Sequence, residues 1–136
     1  MTPAAALKAG DAFDASFDVT ERLHAGFMDL FDDRNPMHVD DTYARERGYR
    51  GKVMHGNILG GFLSRLVGEC LPVRHVVIQS QTMNFAHPVY LGDHLVLSAV
   101  VADVFESVGS IELTFRFTNQ DGVRVAFGTM QIGVLR

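Results

Sequence analysis

A chain of 136 residues is the length of one ordinary domain and too short for two enzymatic ones, and with 47% apolar and 21% charged residues, no low-complexity tract and no fixed-period repeat, it is neither disordered nor a repeat array. Twelve basic against sixteen acidic side chains give a formal charge of -4, which disfavours nucleic acid as a partner. The lone Cys70 excludes an internal disulfide and a Cys-X-X-Cys metal or redox site, and fits a reducing, cytoplasmic compartment.

Residues 1–10 carry one charge, Lys8, and no apolar run of signal-peptide length, so they read as a loose lead-in to a single domain spanning 1–136. Residues 12–19 alternate in the manner of a strand. Thr20 followed by Glu21 then reads as a helix N-cap with an acid in the first turn, opening a helix that ends near Asp32. Residues 33–54 contain Asn35-Pro36, Gly48 and Gly51, which predicts a long loop with at most a short helix near 42–47. Long ordered loops in compact domains are usually functional.

Over residues 56–69 the apolar period is helical: Ile58, Leu59, Phe62, Leu63, Leu66 and Val67 share one arc, and Asn57, Gly60, Gly61, Ser64 and Gly68 the other. Four glycines in one helix cost roughly 1 kcal/mol each relative to alanine, so the second arc should receive a close neighbour or a ligand. After Pro72 come β-rich runs at 75–85, 94–105, 110–118 and 123–134, read as consecutive antiparallel strands. Ile111, Leu113, Phe115 and Phe117 alternate with Glu112, Thr114 and Arg116, giving one buried and one wetter face. Asp121-Gly122 signals a hairpin turn, and Gly128 a bulge where the apolar parity switches. Residues 75–92 lack formal charge, yet Gln79, Gln81, Asn84 and two histidines rule out a membrane span there. The elements make an α+β domain, a curved antiparallel sheet wrapped around a central helix with a loop segment overhanging it.

The chemistry gathers in the string D-R-N-P-M-H from Asp33 to His38, with His55-Gly56 seventeen residues later. Pro36 fixes its own φ and pushes Asn35 out of the helical region, so a rigid turn lets Asp33 and His38 converge. A carboxylate beside an imidazole suits moving a water proton to carbon and back. Gly56 opens the glycine-rich helix, where free N–H groups stabilise charge growing on a carbonyl oxygen. Acid, base and oxyanion donor suit enolate chemistry without a metal or redox cofactor. His24, His75, His87 and His94 lack metal-site spacing. Arg45, Arg47, Arg50 and Lys52 form one basic cluster, either a solvated loop or a contact for phosphate or an acidic carrier.

D-R-N-P-M-H, then V-M-H-G-N-I-L-G-G-F-L-S from Val53 and P-V-Y-L-G-D from Pro88, resembles the MaoC-like, R-specific enoyl-CoA hydratases of the hot-dog fold, over most of the chain. The resemblance implies a single hot-dog domain that pairs into a homodimer and reversibly hydrates a trans-2-enoyl thioester of CoA or acyl carrier protein to the (R)-3-hydroxyacyl thioester. It implies Asp33 and His38 as the catalytic pair, Asn35 as the loop brace, the Gly56 N–H as donor to the thioester carbonyl, and Ser64 as a hydrogen-bond partner near Asp33. His55 reads as structural. Asn57 departs from the pattern where a bulky apolar residue usually follows His-Gly, and Asp32 where a small residue often precedes the catalytic Asp. An inward-facing Asp32 would raise the Asp33 pKa; an outward one would not. Two other readings use the same fold: an acyl-CoA thioesterase, which the Asn-Pro-X-His pairing disfavours, and a non-catalytic acyl-thioester binder.

Overall fold

The computed structural model describes residues 3–135. Strand β1 (Ala12–Asp18) leads into α1 (Glu21–Phe31), where the Thr20 hydroxyl accepts the Leu23 N–H at 3.1 Å as the N-cap. Two short helices follow, α2 (Pro36–Val39) and α3 (Asp41–Glu46), so the loop has one more helical turn than the sequence predicts. Asn35 and Asp40 side chains cap them by accepting the Met37 and Tyr43 N–H groups. The central helix α4 (Ile58–Arg65) runs into a π-helical turn over Leu66–Cys70. Strands β2 (Val76–Phe85), β3 (His94–Phe105), β4 (Ser110–Thr118) and β5 (Arg124–Val134) complete the chain.

All five strands form one antiparallel sheet in the order β1-β3-β4-β5-β2. The four strands after Pro72 are antiparallel as read, but they do not pair in chain order throughout: β2 pairs with β5 at the far edge, not with β3. The connection between β2 and β3 carries Pro88 and Gly92 and makes a bridge to the loop at Val53–Tyr90, so it crosses over and cannot close a hairpin.

Apolar burial explains why the sheet wraps the helix. Leu95, Leu97, Leu113, Phe117, Met130 and Ile132 from the sheet meet Leu59, Leu63 and Leu66 from the helical segment, all at most 1% exposed. Each fully buried side chain of this size contributes about 1.5–3 kcal/mol. The alternation predicted for β4 holds, with Ile111, Leu113, Phe115 and Phe117 all inward. Of the lead-in read over residues 1–10, positions 1 and 2 lie outside the described residues; within 3–10, Pro3–Ala6 forms a 3-10 turn, Ala4 and Leu7 are buried in the core, and the Gly10 N–H bonds to the Val101 carbonyl. No helix among the described residues is long and apolar enough to cross a membrane.

The β5 bulge is also elsewhere. The register steps from Phe117–Ala126 to Thr118–Arg124, making Val125 the extra residue, and Val125 and Ala126 are consecutively buried. Gly128 stays in register and serves a different need: a β-carbon there would overlap the Thr82 carbonyl of β2 and stand 3.0 Å from Phe115 Cζ. Gly128→Ala is therefore expected to lower unfolding free energy by about 1–3 kcal/mol through overpacking. Urea unfolding checks this, and an unchanged midpoint would mean that the two strands can separate freely at that point.

Candidate active site

α1 stops because Asp32 adopts a left-handed conformation (φ 56°, ψ 24°) while its N–H closes onto the Met28 carbonyl at 2.8 Å. That backbone accounts for a small residue being favoured there. The Asp32 side chain is 87% exposed and 3.7 Å from Arg34, so it faces solvent rather than Asp33. Asn35 then stitches the reversal from both sides. Its N–H donates to Asp33 Oδ1 at 3.3 Å, and its side-chain oxygen accepts the Met37 N–H at 3.0 Å.

Three imidazoles tie this segment to the rest of the molecule. His24 on α1 donates from Nε2 to the His38 carbonyl at 2.7 Å; His38 donates from Nδ1 to the Val53 carbonyl at 2.7 Å; His55 donates from Nε2 to the Asp33 carbonyl at 2.8 Å. A carbonyl oxygen only accepts, which assigns the proton to the bonded nitrogen in each ring. The Val53 carbonyl is held in turn by the Val53–Tyr90 bridge, by the Met54 N–H to the Val89 carbonyl and by the Val53 N–H to the Met37 carbonyl. Tyr90 is fixed by its N–H to the buried Asp93 carboxylate at 2.9 Å.

With Nδ1 protonated, His38 Nε2 carries a lone pair, and it faces Asp33 Oδ2 at 3.8 Å. That separation is too long for a direct hydrogen bond and joins two acceptors whenever Asp33 is ionised. A donor with two hydrogens set to one side of the pair can bond both acceptors, and water is the simplest one. The His38 and His55 rings pack 4.1 Å apart, and Phe27 lies 4.5 Å from His55.

Asp33, His38 and Gly56 line one cleft of about 420 Å³, together with Phe85, His87 and Val89 on its far side. Among the described residues the Gly56 N–H has no acceptor within the chain. A β-carbon at Gly56 would stand 2.9 Å from the Phe85 ring, so glycine lets the backbone come close to that wall. The structure thus brings Asp33, His38, Asn35 and Gly56 together. It does not bring in Ser64, which is exposed, lines no part of the cleft and makes no hydrogen bond to Asp33 among the described residues. Ser64 lies seven residues past Asn57, about 10 Å further along the helix.

His24 is a further positioning residue, and the one signal for it in the sequence is its place one turn before Phe27 on α1, the face that meets His55. The basic cluster braces its own loop: Arg45 donates to the Arg50 carbonyl, Arg47 lies over Tyr43 and Arg50 over Tyr90. None of the four lines the cleft. Asp33, His38 and His55 have donor atoms within 4.8 Å of one another, but each ring spends one nitrogen on a carbonyl and the two rings pack on each other.

A family model described as MaoC like domain matches residues 5–119. The (R)-specific enoyl-CoA hydratase of Aeromonas caviae is 30% identical over 104 residues, which are 76% of this chain and 78% of that one. A 3-hydroxybutyryl-CoA dehydratase of Methylorubrum extorquens is 34% identical over 79 residues, 58% of this chain and half of that one. The unliganded R-hydratase PhaJ1 of Pseudomonas aeruginosa superposes with a TM-score of 0.88 at 28% identity, covering 98% of this chain and 85% of that one.

The histidine cluster has a consequence for pH. His55 Nδ1 is buried without a partner, and burial pushes the His55 pKa below its ordinary value of 6.5, outweighing the opposing pull of the Asp33 carbonyl. Since the folded pKa lies below the unfolded one, the unfolded chain takes up this proton first on acidification. The contribution is complete above about pH 6.5 and is lost as the pH falls through that value toward the folded pKa. Urea midpoints should drop between pH 7.5 and 5, and His55→Gln, which keeps a donor for Asp33, should flatten that dependence. Stability that rises on acidification would contradict the assignment.

Proposed function

Because this chain belongs to the MaoC-like domain family, we propose that it reversibly hydrates a trans-2-enoyl thioester to the (R)-3-hydroxyacyl thioester, with Asp33 and His38 as its acid/base pair. The observation that carries this reading is the bond from His38 Nδ1 to the Val53 carbonyl, which leaves Nε2 free to accept a proton 3.8 Å from the Asp33 carboxylate.

In this reaction one water bridges the two acceptors and presents its oxygen to C3. The new C3–O bond forms as one water proton passes to the pair. The double-bond electrons move toward the thioester carbonyl, whose oxygen takes up negative charge at the Gly56 N–H. The pair then hands that proton on to C2, which returns Asp33 and His38 to their starting state and leaves the elements of one water added across the former double bond. Dehydration is the same path reversed. Asn35 keeps Asp33 at the required angle through the bonds to its backbone and side chain. No metal or redox cofactor has a role in these steps.

The thioester carrier is CoA or acyl carrier protein, and the working unit is a homodimer of single-domain chains. The unpaired edge of β2, with Val77 and Phe85 exposed, supports pairing there. The lone exposed thiol, Cys70, fits a cytoplasmic setting.

Purified protein should remove the enoyl absorbance of crotonyl-CoA or a longer enoyl-CoA and yield the (R) alcohol. Acid/base groups contribute about 100- to 10,000-fold in rate, so Asp33→Asn and His38→Ala should each lower kcat in that range with circular dichroism unchanged. Near-normal turnover in either variant, or release of free thiol in place of hydration, would reject the mechanism.

A further inference from the structure

A second cavity, about 970 Å³, runs between α1 and α4. It reaches the upper end of the roughly 300–1,000 Å³ typical of small-molecule sites. Its floor is the Phe17 ring stacked on Phe62 at 4.1 Å and 18°, and its α1 wall carries Leu23 and Phe27. Leu30 and Phe31, 79% and 66% exposed, form an apolar rim that water alone would disfavour.

The groove is continuous with the active-site cleft: Phe27, Asp33 and Asn57 line both. His38 and Gly56 border only the cleft, so Asp33 stands at the junction of the two spaces. A thioester whose carbonyl meets the Gly56 N–H and whose C3 meets Asp33 and His38 must send the rest of its chain past that junction. The volume on the other side is lined mainly by apolar side chains, with Asp18, Arg22 and Arg65 also on its border. Gly26 on α1 and Gly61 on α4 border it, and a β-carbon at either meets nothing within 4 Å.

We infer that this groove binds the acyl tail of the substrate, making enoyl thioesters of about eight carbons better ligands than the four-carbon crotonyl thioester, with Gly26 and Gly61 leaving the space the tail fills. The inference rests on the hydratase reading above and adds the substrate class to it. It also gives a role to helix glycines that nothing else in the chain packs against.

Calorimetric titration with two saturated, unreactive thioesters tests it. Each buried methylene is worth about fourfold in affinity, so octanoyl-CoA should bind the wild-type protein at least tenfold more tightly than butanoyl-CoA. Gly61→Leu and Gly26→Leu should each cut that octanoyl-to-butanoyl ratio by tenfold or more. Leucine is the better helix former, so the thermal midpoint should hold or rise, separating a filled groove from a damaged fold. A wild-type ratio near one, as expected if a second copy of the chain fills the groove, would overturn the inference, and so would a ratio that survives both substitutions. Turnover of crotonyl-CoA and trans-2-octenoyl-CoA is measured alongside. Hydration of neither defeats the hydratase reading, while the binding ratio still judges the groove by itself.

Discussion

Three imidazole-to-carbonyl hydrogen bonds, each 2.7–2.8 Å long, hold the site's geometry. They cross the molecule in different directions: α1 to the His38 backbone, the His38 ring to the loop at Val53, and His55, three residues ahead of α4, to the Asp33 backbone. A reversal such as residues 32–38 has little apolar surface of its own to bury, so its position depends on these directed contacts. Each bond also selects a tautomer, which couples the placement of the segment to the protonation pattern of its rings. The neutral His55, buried with an unpartnered Nδ1, is the least forgiving member of the set.

Much of this was legible in the sequence because it rests on local rules. Thr20, Asn35 and the Asp121-Gly122 turn act within a few residues of themselves, and the turn does form, with Gly122 at φ 75° and the Asn119 side chain accepting the Val123 N–H. Period-two and period-3.6 burial found all five strands and the central helix, for which only the choice of inward face matters. What escaped was tertiary. Nothing local to 75–85 says that this strand pairs with β5 across the sheet, since the choice depends on the path taken by the Pro88 to Asp93 crossover. The bulge assigned to Gly128 lies at Val125, because a glycine in a strand signals close approach as readily as irregular register.

The site divides in the same way. Asp33, Asn35 and His38 sit within one short string, so their convergence follows from the rigid Asn-Pro turn, and Gly56 follows from its place in the turn that leads into the helix two residues later. The resemblance implies Ser64 near Asp33, but a helix of fixed rise carries it away from the cleft. The role of His24 depends on how α1 packs over the loop, which the spacing of polar residues does not encode.

The small ladder at Val53 and Tyr90 has a bearing on motion. It is an isolated bridge outside the main sheet, so it lacks the flanking pairs that keep β3, β4 and β5 closed. Local opening free energies in proteins range from near zero up to the global value, and such a bridge belongs toward the lower end. When it opens, the His38 ring loses the carbonyl that fixes its proton, while the apolar core around α4 stays shut. Warming should therefore disarm the imidazole before the fold melts, and the amides of Val53 and Met54 should exchange with solvent deuterium earlier than those of the strands beneath them.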